Sequence, residues 1–268
     1  VVMDQRLFAK EKVRYVGDIV AAVAAEDLDT ANRAVELVKI DYEELPAVFS
    51  VEDAMKEDAP ELHEEYQSYE TIPPAADPHK MMTDRNLCWR GMIKKGDVEK
   101  GFSEADKVVE DHFDIPAAQG SPIETHGVVA EPARDGQGVT VWTSTQVPFG
   151  VREVTAHGLH LPISSVRVIA PTVGGGFGSK CQPWVEPMVA AVALKAGRPA
   201  RYVMSREEEF EITQPRHPMT VIVKSGVMND GKIVARHVRI MMNTGHSVML
   251  APIMVSCVAH VGGAPYNI

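Results

Sequence analysis

The segment with the strongest chemical character is the stretch GGGFGSK at residues 174–180. Glycine lets a backbone come close to a ligand and lets successive N–H groups point at an anion. A tight turn between a strand and a helix is the plainer interpretation, but a turn needs only one or two glycines. The stretch therefore predicts a loop that binds a ligand.

Two phosphate-binding motifs resemble this stretch, and neither fits completely. A P-loop has the pattern GxxxxGK[ST], whereas the neighbours of Lys180 are a serine and a cysteine. A dinucleotide-binding turn, GxGxxG, could use Gly174 and Gly176, but Ser179 stands at its third glycine. Glu207 would then be the acidic residue that contacts a ribose. An NAD- or flavin-binding oxidoreductase with a Rossmann-type turn therefore stays open as an alternative.

Histidines and carboxylates elsewhere give weaker signals. His157 and His160 have the spacing of metal ligands, but no cysteine or carboxylate accompanies them, so we predict no zinc site. Glu124 and His126 in the segment SPIETH have the residue types of an acid–base pair. Neither pair predicts a catalytic centre by itself.

The elements of the N-terminal third must be read from their apolar patterns. Residues 13–25 are rich in Val and Ile and predict one or two buried strands. A helix capped by Asp29 or Thr30 should follow, and residues 38–45 should return as a strand. The acidic stretch from residue 50 to 80 reads as a surface connection with one short helix at 51–56 and a domain boundary near 70–85.

The remaining two thirds alternate between helix and strand patterns. The glycine-rich loop should lie between a strand and an apolar helix that ends at Gly197. An Asn-Asp-Gly turn at 229–231 predicts an antiparallel hairpin over 219–243. The other predicted elements are a strand and turn at 86–102, a short helix leading to a strand at 103–115, strands at 138–146, 166–173 and 200–205, and helices at 151–161 and 184–197. The fold class is α/β (α+β mixed).

Composition limits the function classes. The 268 residues suggest two domains at roughly 150 residues each, and 45% apolar with 24% charged residues is typical of a folded protein. A net charge of −10 argues against nucleic-acid binding. We find no apolar run long enough to span a membrane and no signal peptide.

The cysteines and the chain ends carry further expectations. Cys88, Cys181 and Cys257 are too few and too far apart for a disulfide framework or a CxxC site, so a reducing cytoplasm is the expected location. The chain begins with Val1 and stops at Ile268 without a stop pattern. We therefore expect that neighbouring sequence is missing at both ends.

Six motifs occur in one order: GFSEADKVVE, SPIETH, TSTQ, VRVIAPTVGGGFGSK, MSREEEF and QPRHP. In this order and spacing the sequence resembles the molybdenum-binding large subunits of the xanthine dehydrogenase, aldehyde oxidoreductase and carbon monoxide dehydrogenase family, the molybdenum hydroxylases. Residues 10–54 resemble the hammerhead domain that precedes the cofactor domain there. The resemblance implies a hammerhead α/β domain at 1–80, truncated at its N-terminus, and the first half of the molybdenum cofactor-binding domain at 81–268, truncated at its C-terminus.

The resemblance also implies roles for individual residues. Gln146 takes the place of a glutamine that hydrogen-bonds an oxygen ligand of molybdenum, which suits a neutral donor beside an anionic centre. Gly175, Gly176, Phe177 and Gly178 correspond to the loop that wraps the pterin and the metal. None of these residues is expected to ligate the metal directly.

The resemblance also covers positions outside the loop. Cys181 stands where xanthine-oxidising members carry a substrate-recognising glutamate, so a purine substrate is disfavoured; this cysteine either lines the substrate pocket or is simply buried. The resemblance places Glu124 and His126 in a structural strand near the site. Arg216 and His217 in QPRHP are expected to hold a loop.

The activity implied is oxidative hydroxylation of an aldehyde or an N-heterocyclic or aromatic compound, with water as the oxygen source. The cofactor would be molybdenum-molybdopterin, with the cytosine dinucleotide form as one option, and partner chains would carry [2Fe-2S] and FAD. The general-base glutamate belongs to a C-terminal part that this chain lacks, so the fragment alone should be inactive. The partners expected are the remainder of the large subunit, an iron–sulfur subunit, an FAD subunit and a small-molecule substrate.

A non-enzymatic binding or assembly module that has lost the cofactor is the remaining alternative. Retention of Gln146 together with the glycine-rich loop argues against it.

Overall fold

The structure is a computed structural model that describes residues 3–70 and 85–262. The chain divides into two compact units. The glycine-loop unit consists of Arg6–Leu45 and Gln119–Arg216, and the hairpin unit consists of Val1–Gln5, Pro46–Ala118 and His217–Ile268. Each unit is thus built from separate stretches of sequence.

The described residues form seven strands and seven α-helices. The strands are β1 (Lys107–Ile115), β2 (Gly127–Pro132), β3 (Val139–Thr143), β4 (Val166–Ile169), β5 (Ala200–Val203), β6 (Met219–Val227) and β7 (Ile233–Met242). The helices are α1 (Leu28–Val35), α2 (Val51–Ala54), α3 (Val98–Glu104), α4 (Pro148–Gly158), α5 (Glu186–Ala196), α6 (Arg206–Ile212) and α7 (Ala251–Gly262), with 3₁₀ turns at Tyr66–Ser68 and Ile163–Ser165. Helices and strands alternate through most of the chain, which confirms the mixed α/β class.

The glycine-loop unit is organised around a four-stranded sheet in the order β4-β3-β2-β5. Strands β3 and β4 are parallel, and the other two pairings are antiparallel. Helix α5 packs on β2, β3 and β5, while α4 packs on β4 and α5. Inward-facing side chains of the sheet, including Val128, Ala130 and Val141, form one core with the apolar residues of α5.

Helix α5 was predicted closely. It begins at Glu186 followed by a proline, which suits the first turn because that position has no helical N–H partner. It ends at Gly197, whose φ of 63° is the left-handed conformation that glycine adopts without strain.

The hairpin unit contains a three-stranded antiparallel sheet in the order β1-β6-β7. Strands β6 and β7 are joined at the predicted Asn-Asp-Gly turn, where Gly231 has a φ of 89°. Helix α3 packs on β7 and β6. The predicted hairpin over 219–243 is therefore confirmed.

The predictions for the N-terminal third were wrong in part. Residues 13–25 and 38–45 form no strand, and many of their apolar side chains are exposed, with Val16 at 85% and Leu37, just before the second stretch, at 79%. A strand requires a hydrogen-bonded neighbour, and an apolar pattern cannot supply one. Helix α1 is present, but its cap is Asp27, which accepts the N–H of Thr30 at 2.8 Å.

Several element boundaries in the rest of the chain also differ from the predicted ones. Residues 86–97 of the predicted strand and turn form no strand, and helix α3 begins at Val98. The strands predicted to reach 146, 173 and 205 end at Thr143, Ile169 and Val203. The residues beyond β3 and β4 form the loops described below. The predicted domain boundary near 70–85 falls largely outside the described residues. Within 3–70 and 85–262, no helix is long and apolar enough to cross a membrane.

Candidate functional site

The glycine-rich loop follows β4 in the glycine-loop unit. Gly175 and Gly178 have φ values of 105° and 98°, and Phe177 has a φ of 51°. A non-glycine residue at positive φ is uncommon and persists only where its surroundings hold it. The Phe177 side chain is 76% exposed, so its own packing does not fix this conformation. The residues around the loop must therefore hold Phe177 in this conformation.

Glu124 anchors the start of the loop. Its Oε2 accepts the N–H of Gly174 at 2.6 Å and the hydroxyl of Ser144 at 2.5 Å. Its own backbone N–H donates to the carbonyl of Gly174 at 3.3 Å. A Cβ at Gly174 would lie 2.6 Å from the Cβ of Glu124, so this close approach requires glycine.

Lys180 closes the other end of the loop, and its side chain is completely buried. Its Nζ donates to the backbone carbonyl of Glu124 at 2.9 Å, to Glu124 Oε2 at 3.0 Å and to Ser144 Oγ at 2.7 Å. These three bonds use all the protons of the ammonium group. The buried charge is thus fully hydrogen-bonded and is paired with the carboxylate of Glu124.

This network sets the ionisation of Glu124. Partial burial raises the pKa of Glu124, but the hydrogen bonds from Ser144, Gly174 and Lys180 and the positive charge of Lys180 outweigh it, so the pKa lies below its ordinary value. Glu124 is therefore an ionised anchor, and its depressed pKa makes it a poor proton acceptor.

Gln146 lies beside the loop, three residues beyond β3. Its Oε1 accepts the N–H of Gly178 at 3.0 Å, and its backbone N–H donates to the carbonyl of Lys180 at 2.9 Å. A Cβ at Gly176 would lie 2.4 Å from this Oε1. The side chain is exposed, and its Nε2 donates to no residue in the described ranges. Gln146 thus presents an unused amide donor at the loop.

The middle of the loop presents further donors. Within the described part of the chain, the backbone N–H groups of Gly175, Gly176 and Phe177 have no hydrogen-bond acceptor. Successive N–H groups on a glycine-rich turn can bind anionic oxygen atoms. The structure therefore brings the predicted residues Gln146 and 175–178 together. Gln146 Nε2 and the N–H groups of residues 175–177 form one group of donors.

A second set of contacts supports the loop from the α5 side. Ser179 donates its N–H and hydroxyl to the carbonyl of Gly176 at 2.9 and 2.8 Å, and Trp184 Nε1 donates to the carbonyl of Ser179 at 2.9 Å. Buried Glu186 accepts the N–H of Trp184 at 2.9 Å and the hydroxyl of Thr143 at 2.9 Å. The connection from the loop to α5 is thus tied to the sheet.

Glu124 and His126 do not form an acid–base pair. His126 Nδ1 instead lies 2.8 Å from Glu209 Oε2, and both side chains are buried. Burial raises the pKa of Glu209, but the side-chain and backbone hydrogen bonds from His126 outweigh it and leave the pKa lowered. Glu124 and His126 precede β2 rather than lying within a strand, because the chain joins the sheet only at Gly127.

Cys181 follows the loop directly and is partly buried. Its N–H donates to the carbonyl of Gly178 at 3.2 Å, and burial raises the pKa of its thiol. The thiol is therefore neutral at ordinary pH. Its assignment to a substrate pocket stays a prediction.

The remaining candidate residues lie elsewhere. His157 is exposed in the last turn of α4, and His160 follows that helix with a φ of 54°. Arg216 ends a stretch of the glycine-loop unit and His217 begins a stretch of the hairpin unit. Among the described residues, no three His, Cys, Asp or Glu side chains cluster as a metal site would require.

The Rossmann-type alternative was wrong. Helix α5 begins at Glu186, so the loop does not open the helix as a dinucleotide turn does. The sheet is largely antiparallel. Glu207 is exposed in the first turn of α6, where its charge complements the helix N-terminus rather than a ribose.

Lys180 and Ser144 are the site residues that sequence reasoning missed. In the sequence, Lys180 was considered only as the lysine of a P-loop pattern that does not fit, and Ser144 only as part of the TSTQ motif. The sequence carries no signal for either residue, because the burial of Lys180 and its contact with Glu124 arise only in the fold.

Two family models match the chain. A family model described as "Molybdopterin cofactor-binding domain" matches residues 79–268. A second, described as "Aldehyde oxidase and xanthine dehydrogenase, a/b hammerhead domain", matches residues 1–46.

Individual relatives are similar over most of the chain. A probable xanthine dehydrogenase subunit of Bacillus subtilis is 34% identical over 268 residues, which is 100% of this chain and 33% of that relative. The nicotinate dehydrogenase large molybdopterin subunit of Eubacterium barkeri is 32% identical over 256 residues, 96% of this chain and 56% of that relative. The structure of aldehyde oxidoreductase from Desulfovibrio gigas matches with a TM-score of 0.76 and 28% identity over 88% of this chain and 24% of that chain.

The chain thus spans only part of each of these relatives, from about a quarter to just over half of their length. The family models and these relatives all point to one group of proteins. The chain belongs to the molybdopterin cofactor-binding domain family of the molybdenum hydroxylases, with a hammerhead segment ahead of that domain.

Proposed function

We propose that this chain is part of the molybdopterin-binding subunit of a molybdenum-dependent hydroxylase that oxidises an aldehyde or an N-heterocyclic or aromatic compound with water as the oxygen source. The observation that carries the proposal is the group of unused donors formed by Gln146 Nε2 and the N–H groups of Gly175, Gly176 and Phe177 within the described part of the chain.

The residues present fit such a cofactor. Its pterin dithiolene and phosphate carry anionic atoms, which suit a surface of neutral donors. The close approach of Gly176 to Gln146, where a Cβ would lie 2.4 Å from Oε1, keeps the amide and the loop in one compact surface. Substituents at these glycines would occupy the space that the cofactor needs.

When bound, the molybdenum cofactor supplies a metal centre that activates water and accepts two electrons from the substrate. Gln146 would hold the cofactor through its amide donor and would add no charge to the site. The N–H groups of the loop bind anionic atoms of the cofactor. The exposed phenyl ring of Phe177 would shield the bound cofactor from water.

The proton acceptor for the reaction lies outside this site. Glu124 is the carboxylate that anchors the loop. It accepts hydrogen bonds from three donors and its pKa is lowered, so it does not serve as the proton acceptor. We therefore place the general base in the remainder of the large subunit. The chain alone would then hold cofactor atoms without turning over substrate.

Cys181 is our candidate for the substrate side of the site. Its neutral thiol follows the loop and offers a small, weakly polar surface. Such a surface suits an aldehyde or an aromatic ring better than a purine, which needs strong hydrogen-bond partners.

The wider assembly follows from the same proposal. It comprises a hammerhead domain at 1–80, a cofactor domain at 81–268, the remainder of the large subunit, and partner chains with [2Fe-2S] and FAD. We propose the cytosine dinucleotide form as one option for the pterin and the cytoplasm as location. The three cysteines, which form no disulfide, support a reducing compartment.

The test uses the complete protein purified from its native source with the chains that accompany it. Molybdenum in metal analysis, an oxidised-pterin fluorescence signal, and iron and flavin on accompanying chains are the expected results. Stoichiometric adenine dinucleotide without molybdenum would overturn the proposal.

A variant pair sharpens this test. Gln146→Leu removes the amide donor and should lower molybdenum retention or activity by about 10–100-fold, the usual effect of removing a partner of a metal ligand. Gln137→Leu changes the same residue type on the exposed turn between β2 and β3 and should leave both unchanged. Equal behaviour of the two variants would remove Gln146 from the site.

A further inference from the structure

We infer that Lys180 and Glu124 are a positioning pair that fixes the glycine-rich loop in its cofactor-binding conformation before any cofactor arrives. The inference rests on the proposed function, because it concerns the same loop. Neither residue would touch the reacting atoms; both would act through the loop and through Gln146.

The first argument is the cost of burying the charge. The Lys180 side chain has no exposed surface, and removing an ammonium group from water is expensive even when it is paired. Apolar residues in such places are often as stable as the ion pair or more so. A buried lysine is therefore poorly explained by stability, and its fixed geometry is the better explanation.

The second argument is where the bonds go. The Lys180 ammonium binds Glu124 and Ser144, while the Lys180 carbonyl accepts the N–H of Gln146 at 2.9 Å and the hydroxyl of Thr145 at 3.3 Å. One residue thus holds three consecutive positions after β3. Its side chain and its backbone fix both the carboxylate anchor and the amide donor.

The third argument is that the same pair holds both ends of the loop. Glu124 binds the N–H of Gly174 at the start of the loop, and Lys180 is its last residue. Between them three residues have positive φ, including the exposed Phe177. Unfavourable backbone conformations persist when the surrounding structure over-determines them. Clamped ends provide that constraint without help from a ligand.

The test compares three variants of the complete protein. Lys180→Met removes the ammonium, and Glu124→Gln keeps the shape of the anchor but removes its charge. Glu208→Gln is the control, because Glu208 is a carboxylate in the same unit whose side chain accepts the N–H of Ser205 and bonds no residue of the loop. If Lys180→Met does not fold, Glu124→Gln decides the question.

The primary measurement is hydrogen exchange of the Gly174 and Gly178 amides in protein freed of cofactor. We expect exchange at both amides to be about tenfold faster or more in Lys180→Met and Glu124→Gln, since each variant removes the charge-assisted contact between Lys180 and Glu124 that holds the loop. The control should exchange as the wild type does at these two amides. In the cofactor-loaded fraction, the Mo(V) electron paramagnetic resonance signal should change in the two pair variants only.

The outcomes separate the two proposals. Wild-type protein without molybdenum or pterin would refute the proposed function, while the exchange rates would still decide the role of the pair. Unchanged exchange in the pair variants would overturn the inference. Equal acceleration in the Glu208→Gln control would overturn it as well, because it would indicate a general loosening of the unit.

Discussion

Gly176→Ala tests the contact between the glycine-rich loop and Gln146 most directly. The new Cβ would lie 2.4 Å from Gln146 Oε1, 2.6 Å from its Cδ and 2.8 Å from its Cγ. These atoms belong to an exposed, flexible side chain, so the amide can swing away. The bond that it accepts from Gly178 at 3.0 Å is then lost.

The expected effect on stability is small because two contributions nearly cancel. The lost hydrogen bond costs about 0.5–1.5 kcal/mol. Gly176 does not have a positive φ, so alanine should fit its backbone and return about 0.4–1 kcal/mol by restricting the unfolded chain. The free energy of unfolding should change by less than about 1 kcal/mol, which is less than about 4 °C in Tm.

The expected effect on the cofactor is large. With the amide displaced, pterin fluorescence per mole of the complete protein should fall well below that of the wild type, while the melting curve stays almost unchanged. Gly174→Ala is the matched control for stability. Its Cβ would lie 2.6 Å from Glu124 Cβ, an atom next to the backbone that cannot swing away, so it should cost about 1–3 kcal/mol.

Two results would refute this reasoning. A loss of more than about 8 °C in Tm, equivalent to about 2 kcal/mol or more, would show that Gln146 cannot move aside in Gly176→Ala. A full complement of pterin would show that the position of the amide does not matter for the cofactor.

Two further predictions concern the support of the same unit. Gly17→Ala places a Cβ 2.1 Å from the backbone carbonyl oxygen of Glu211, so Tm should drop further than in Gly174→Ala; an unchanged melting curve would contradict this contact. Glu209→Gln tests the His126 pair by pH. Because the pKa of Glu209 is lowered in the folded state, its contribution to stability is complete above its ordinary value of 4.5 and is lost as the pH falls through the lowered folded value. The variant should lose less stability than the wild type as the pH falls below 4.5 in acid titrations of unfolding, and identical slopes would show that the pair does not act.

The sequence predicted those elements whose ends are marked by residues within the same short stretch, such as a capping glycine or a turn. Helix α5 has an apolar run closed by Gly197, and the β6–β7 hairpin has its Asn-Asp-Gly turn, so both were found almost at their observed bounds. Residues 13–25 have the right composition for strands but no partner strand, and pairing depends on distant sequence. Lys180 was missed for the same reason, since its carboxylate lies 56 positions away in sequence.

The motifs around the site were predictable because each is short and contiguous. The loop at 174–180 was identified from its residue types and Gln146 from the resemblance of the TSTQ motif, and the structure brings them together. Their shared anchor was not predictable, because Ser144 and Glu124 have no special pattern until the fold brings them beside a buried ammonium.

The division of each unit into separate stretches has a consequence for synthesis on the ribosome. Residues 6–45 leave the exit tunnel before 119–216, on which Phe8 and Ile19 pack. At about 5–20 residues per second, the ~75 intervening residues take roughly 4–15 s to make. During that interval Phe8 and Ile19 have no native surface to cover them. The nascent chain is therefore expected to recruit a holding chaperone at this stage, and slowing translation should increase its aggregation.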